Sequence, residues 1–94
     1  MKSNVERDEE SIVVSDGKRM ICVRVGDVIR VVYHEAPTAL MKVTRVNRHS
    51  FHGLDGEWQC KVTVVSDTEL RFYGSLGPNR QTVLRNVRLQ KIGG

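Results

Sequence analysis

A hydrophobic period of two runs through this chain. Trp58, Cys60, Val62 and Val64 alternate with Gln59, Lys61, Thr63 and Val65. Successive side chains of a strand point to opposite faces, so this spacing predicts a strand with one face toward a core. The same period returns in Ile29, Val31 and Tyr33 against Val28, Arg30 and Val32, and in Val87 and Leu89 against Arg88 and Gln90. No ten-residue segment carries the 3.6-residue period of a helix, and no internal repeat is present. The apolar residues are mainly Val, Ile and Leu, whose branched forms suit a pleated surface. The fold class expected is therefore all-β. A chain of 94 residues buries about 60–65% of its unfolded surface, enough for one core. The domain expected is residues 11–94, with 1–10 as a disordered acidic tail.

Turn chemistry divides the chain into strands. Ser11–Val14 and Met20–Val23 flank Asp16-Gly17, a pair suited to tight hairpins because both positions can need positive φ. Gly26-Asp27 opens the strand that runs to Tyr33. His34–Thr38 reads as a loop, since Pro37 has no N–H for a central ladder. Leu40–Val46 resumes as a strand, and its two valines, Val43 and Val46, stand three apart. A bulge between them would return both to the core face. Phe51–Leu54 is a short strand before the Asp55-Gly56 turn. Leu70 and Phe72 face inward on the next strand, Gly74–Arg80 reads as a flexible loop, and Leu84–Ile92 closes the domain.

Charge is uneven along the chain. Residues 1–17 hold two Lys/Arg and five Asp/Glu, whereas residues 18–94 hold 13 Lys/Arg and six Asp/Glu, within a formal net charge of +4. The body is thus more basic than the whole. A basic surface attracts phosphate, acidic proteins or anionic lipid. The acidic lead, Glu6 to Glu10, either stays solvated or folds back to compete with an anionic partner. No stretch approaches the roughly 20 apolar residues of a membrane helix, and the first residues lack the apolar core of a signal peptide. A cytoplasmic, reducing setting is expected, with no membrane partner and with Cys22 and Cys60 as ordinary thiols.

Gly26-Asp27 before alternating apolar residues, then Lys42-Val43-Thr44-Arg45-Val46, then the closing Leu84-Arg85-Asn86-Val87-Arg88-Leu89, resembles the SH3-like small barrels, the group that includes Tudor-type and KOW-type domains. The resemblance covers residues 23–92. It implies a small barrel, here with an extra N-terminal hairpin, and a short 3₁₀ turn at Leu84-Arg85-Asn86. An aromatic cage of the Tudor kind needs more clustered aromatics than this chain has. An OB-like five-stranded barrel is the structural alternative.

Catalytic chemistry finds little footing. His49 and His52 with Cys22 and Cys60 could offer four zinc ligands, but the cysteines form no Cys-x-x-Cys pair. No metal or other cofactor is expected. No nucleophile elbow is present, and Gly74-Ser75-Leu76-Gly77 lacks the Gly-Lys-Ser/Thr of a phosphate loop. Asp16, Asp27, Asp55 and Asp67 are each accounted for by turns. The chain is expected not to be an enzyme.

The basic residues are the best functional signal. Arg30, Lys61, Arg71 and Arg88 fall on outward positions of different strands, Arg45, Arg48 and Arg80 on strand ends or loops, and Tyr73 outward beside Arg71, where a base could stack. Adjacent strands would merge them into one nucleic-acid-binding patch, DNA or RNA. The plain alternative is a solvated exterior whose Lys and Arg protect edges. The functional alternative is a protein-interaction module, such as a small phage or mobile-element protein docking on a host protein, with Val28 and Val32 as outward apolar contacts. Self-association by edge-strand pairing is a third course.

Overall fold

The computed structural model describes residues 10–77 and 80–93, without the side chains of residues 76, 77 and 80. Its described residues form nine strands: β1 (Ser11–Ser15), β2 (Met20–Arg24), β3 (Val28–Tyr33), β4 (Ala36–Val46), β5 (Ser50–Asp55), β6 (Trp58–Val64), β7 (Leu70–Gly77), β8 (Arg80–Arg85) and β9 (Arg88–Gly93). There is no helix among them. β1 and β2 form a separate hairpin. The others form one antiparallel sheet in the order β8-β7-β6-β5-β4-β3-β9, curled into a half-barrel. The all-β expectation and the additional N-terminal hairpin hold.

Alternation sets the two faces. Ile29 and Val31 on β3, Met41 and Val43 on β4, Phe51 on β5, Cys60 and Val62 on β6, and Leu70 and Phe72 on β7 are buried. The hairpin adds Ile12, Val14, Ile21 and Val23 to the same cluster. Complete burial of such a side chain is worth about 1.5–3 kcal/mol, so the hairpin belongs to the core. The register of β4 on β5 shifts between Val43 and Arg45. This is the irregularity that the three-residue valine spacing predicts, and it returns both Val43 and Val46 to the interior.

Polar ties fasten the hairpin to the sheet. Asp16 Oδ1 accepts from the Lys18 and Arg19 N–H groups at 2.9 and 3.1 Å, and its Oδ2 accepts from Leu89 N–H at 3.3 Å. Asp27 Oδ2 accepts from Arg24 N–H at 2.9 Å and pairs with Lys91 Nζ at 3.2 Å. Lys91 Nζ also donates to the Cys22 carbonyl at 3.2 Å. Gly17, at φ 91°, seats the hairpin turn so tightly that a Cβ there would stand 3.1 Å from the Thr68 carbonyl oxygen. Turn chemistry explains where Asp16 and Asp27 occur; it does not extend to these long-range roles.

Four local expectations are corrected. His34–Thr38 is not a loop: His34 and Glu35 alone make the turn, at φ 51° and 66°, and β4 begins at Ala36. Pro37 lies opposite Val32 beside a register shift, where β3 is the only ladder neighbour among the described residues, because the β4–β5 register begins at Lys42. Gly74–Gly77 continues β7 rather than forming a loop. No 3₁₀ turn forms at Leu84–Asn86; β8 runs to Arg85 and the chain reverses at Asn86, φ 57°. Trp58 has the parity of Cys60 yet is exposed at the start of β6, opposite Asp55. The expectation of an acidic tail falls on residues 1–9, outside those described, apart from the exposed Glu10.

Candidate nucleic-acid interface

The antiparallel registers align side chains across the outer face of the sheet. Arg45 on β4 lies opposite His52 on β5, His52 opposite Lys61 on β6, Lys61 opposite Tyr73 on β7, and Tyr73 opposite Val83 on β8. Directly opposed residues share a face. At about 4.8 Å per strand, this row follows the curved sheet for roughly 19 Å. A second row, two residues along, runs from Ser50 through Thr63 and Arg71 to Arg85. The two rows bring Arg45, Lys61, Arg71 and Arg85 together with Tyr73.

Lys61 Nζ stands 4.9 Å from the centre of the Tyr73 ring, within cation–π range. Arg71 meets Glu69 at 3.8 Å, a pair that adds little where water reaches it. Hydrogen bonding with the Tyr73 side chain raises the Arg71 pKa further, and Glu69 adds to it. The guanidinium is therefore charged at every physiological pH.

The expected site residues do not form a single patch. Arg45, Lys61, Arg71 and Tyr73 share the rows above. Arg30 and Arg88 lie at the other end of the strand order, on β3 and β9. Arg30 Nη1 donates to Gln90 Oε1 at 3.4 Å, and Arg88 lies opposite Val32. Arg48 is exposed in the turn between β4 and β5. The Arg80 side chain lies outside the described residues. Val28 and Val32, read as outward contacts, are half-buried. The exposed apolar side chains include Val13 and Met20 on the hairpin instead.

Arg85 and the basic turn Lys18-Arg19 join the site beyond the residues expected from the sequence. Both border an open groove of about 730 Å³, whose lining also includes Tyr33, His34, Asn86 and Arg88. Arg85 thus belongs to the second row and to the groove. The signal for it was its alternation with Leu84, the neighbour that packs against the core.

Asp16 also lines the groove. Burial pushes its carboxyl up, but the N–H groups of Lys18, Arg19 and Leu89, together with the Arg19 charge, outweigh this and hold it below its ordinary value. Cys60 goes the other way: burial, then the Asp55 charge, push its thiol up, which makes it a poor nucleophile. Among the described residues no three His, Cys, Asp or Glu side chains gather where they could hold a metal ion, and no helix is long and apolar enough to cross a membrane.

Compared with known proteins, the chain matches no family model, no curated protein and no solved structure.

Proposed function

We propose that this chain is a non-enzymatic, cytoplasmic nucleic-acid-binding barrel that grips phosphates through its outer face. The carrying observation is the pair of cross-strand rows, which span β4 to β8 and carry four cations and one tyrosine on β4, β6, β7 and β8. Phosphate contacts supply most of the affinity of such surfaces, and a tyrosine adds a base-stacking platform with little sequence preference. Low base specificity follows, since the rows offer few side chains suited to reading base edges. We read the barrel as SH3-like, on the return of β9 to pair with β3 after a meander of consecutive hairpins.

The test is binding of labelled single-stranded DNA and RNA by the full chain and by Lys61→Gln and Arg71→Gln. Each substitution should weaken binding, both together more than either alone, and similarly across sequences. Unchanged affinity in the double variant removes this reading. The hairpin's exposed Val13 and Met20 favour a protein-interaction module as the second reading. That reading predicts that Met20→Ser abolishes capture of a specific protein while oligonucleotide binding is absent.

A further inference from the structure

The described non-glycine residues with positive φ are His34, Glu35 and Asn86, and all three line the groove that Lys18, Arg19, Arg85 and Arg88 border. Left-handed backbone costs free energy for residues with a Cβ, most clearly for Glu, and such residues concentrate at ligand sites. Three turns from distant parts of the chain therefore meet at one place. The turn of the β1–β2 hairpin brings Lys18 and Arg19, the β3–β4 turn brings Tyr33 to Glu35, and the β8–β9 turn brings Arg85 to Arg88.

Charge in the groove is net positive. Four cationic side chains face two carboxylates, Asp16 and Glu35. Both Asp16 oxygens already accept backbone N–H groups, so this carboxylate is committed to holding the turn that presents Lys18 and Arg19. Tyr33 and His34 stand edge to face at 4.2 Å between ring centres, giving the groove an aromatic wall. A volume near 730 Å³ is within the range of small-ligand pockets. Clustered cations favour a dianion over the monoanionic phosphodiester of an internal nucleotide, and an aromatic wall favours a ligand with a flat base.

We infer that the groove binds a nucleotide bearing a terminal phosphomonoester, with Lys18, Arg85 and Arg88 on the phosphate and the Tyr33–His34 pair beside the base. The phosphorylated end of a strand and a free mononucleotide share this chemistry. The strand-end form rests on the nucleic-acid reading above, because Arg85 then joins the groove to the outer rows. The preference for a phosphomonoester does not depend on it.

The experiment compares 12-nucleotide single strands carrying a 5′-phosphate, a 3′-phosphate or no terminal phosphate, by fluorescence anisotropy. AMP, adenosine and inorganic phosphate are titrated in parallel while the amide resonances of Tyr33, His34 and Asn86 are followed. A terminal phosphate at one end should raise affinity by about tenfold or more, the yield of one charge-assisted contact. The Lys18→Gln, Arg88→Gln double variant should lose that gain. AMP should shift the three amides and adenosine should not. If oligonucleotides fail to bind but AMP shifts those amides, the groove assignment stands with a free nucleotide as ligand, and the outer-face reading falls. If oligonucleotides bind without end preference and AMP shifts nothing, the groove assignment is overturned and the outer-face reading stands. Inorganic phosphate binding as tightly as AMP also overturns it, since the aromatic wall would then contribute nothing.

Discussion

The ammonium group of Lys61 sits 4.9 Å from the centre of the Tyr73 ring, and the two residues lie directly opposite on neighbouring strands. One face of the ring is therefore shared with a cation. A base that stacks on Tyr73 brings its phosphate toward Lys61, so the pair can engage both halves of one nucleotide.

This arrangement separates the roles of ring and hydroxyl. Tyr73→Ala should weaken single-strand binding by about 1–3 kcal/mol, the usual range for a stacked base. Tyr73→Phe keeps the ring and should retain most of the affinity. Anisotropy titration of the two variants checks this, and equal losses in both would assign the effect to the hydroxyl.

The hairpin's attachment can be tested through Asp16. In Asp16→Asn the amide nitrogen would face the Leu89 N–H, donor against donor, if the oxygen stays on Lys18 and Arg19. Leaving a buried N–H unsatisfied costs about 1–3 kcal/mol. Urea unfolding should show that loss in a single transition, because the hairpin shares the core. A separate early transition would instead mark the hairpin as an independent unit.

Asp16 also sets a pH dependence. Its folded pKa lies below its ordinary value, so the ionised form is favoured by folding. Its contribution is complete above the unfolded value, near 3.9, and disappears as pH falls through the folded value. The stability difference between the wild type and Asp16→Asn should therefore be constant from about pH 7 to pH 5 and shrink below about pH 4. A difference that widens on acidification would reverse the sign.

Gly53 lies opposite Val43, where β5 leaves no room for a side chain against β4. A Cβ there would collide with the Lys42 carbonyl oxygen and stand 2.9 Å from Met41 Cε. Backbone cannot yield as a flexible side chain does, so Gly53→Ala should cost about 1–3 kcal/mol or more, as overpacking does. Thermal unfolding measures it, and a variant as stable as the wild type would show that β4 and β5 can separate freely.

Much of the fold was legible because burial imposes parity. Cys60, Val62, Leu70, Phe72, Val87 and Leu89 all face the core side expected from their spacing, and the Val43–Val46 offset marked the bulge. Parity has no purchase at strand ends, which is why Trp58 lies exposed. The left-handed turns at His34-Glu35 and Asn86 escaped notice because none contains the glycine that usually signals them. The candidate site was legible only in part. Outwardness can be read from one strand, whereas adjacency is decided by strand order and register. Those grouped Arg45, Lys61 and Arg71 while placing Arg30 and Arg88 on β3 and β9, outside the two rows. The groove was not legible at all, since its three turns meet only through tertiary packing.

The salt dependence of oligonucleotide affinity is the sharpest test of phosphate binding by the outer face. If Arg45, Lys61, Arg71 and Arg85 each neutralise a phosphate, the logarithm of the association constant should fall against the logarithm of salt concentration with a slope of roughly −3 for a single strand, and Arg71→Gln should make it shallower by about 0.7. A slope near zero, or no binding at low salt, would show that the outer face does not grip phosphates.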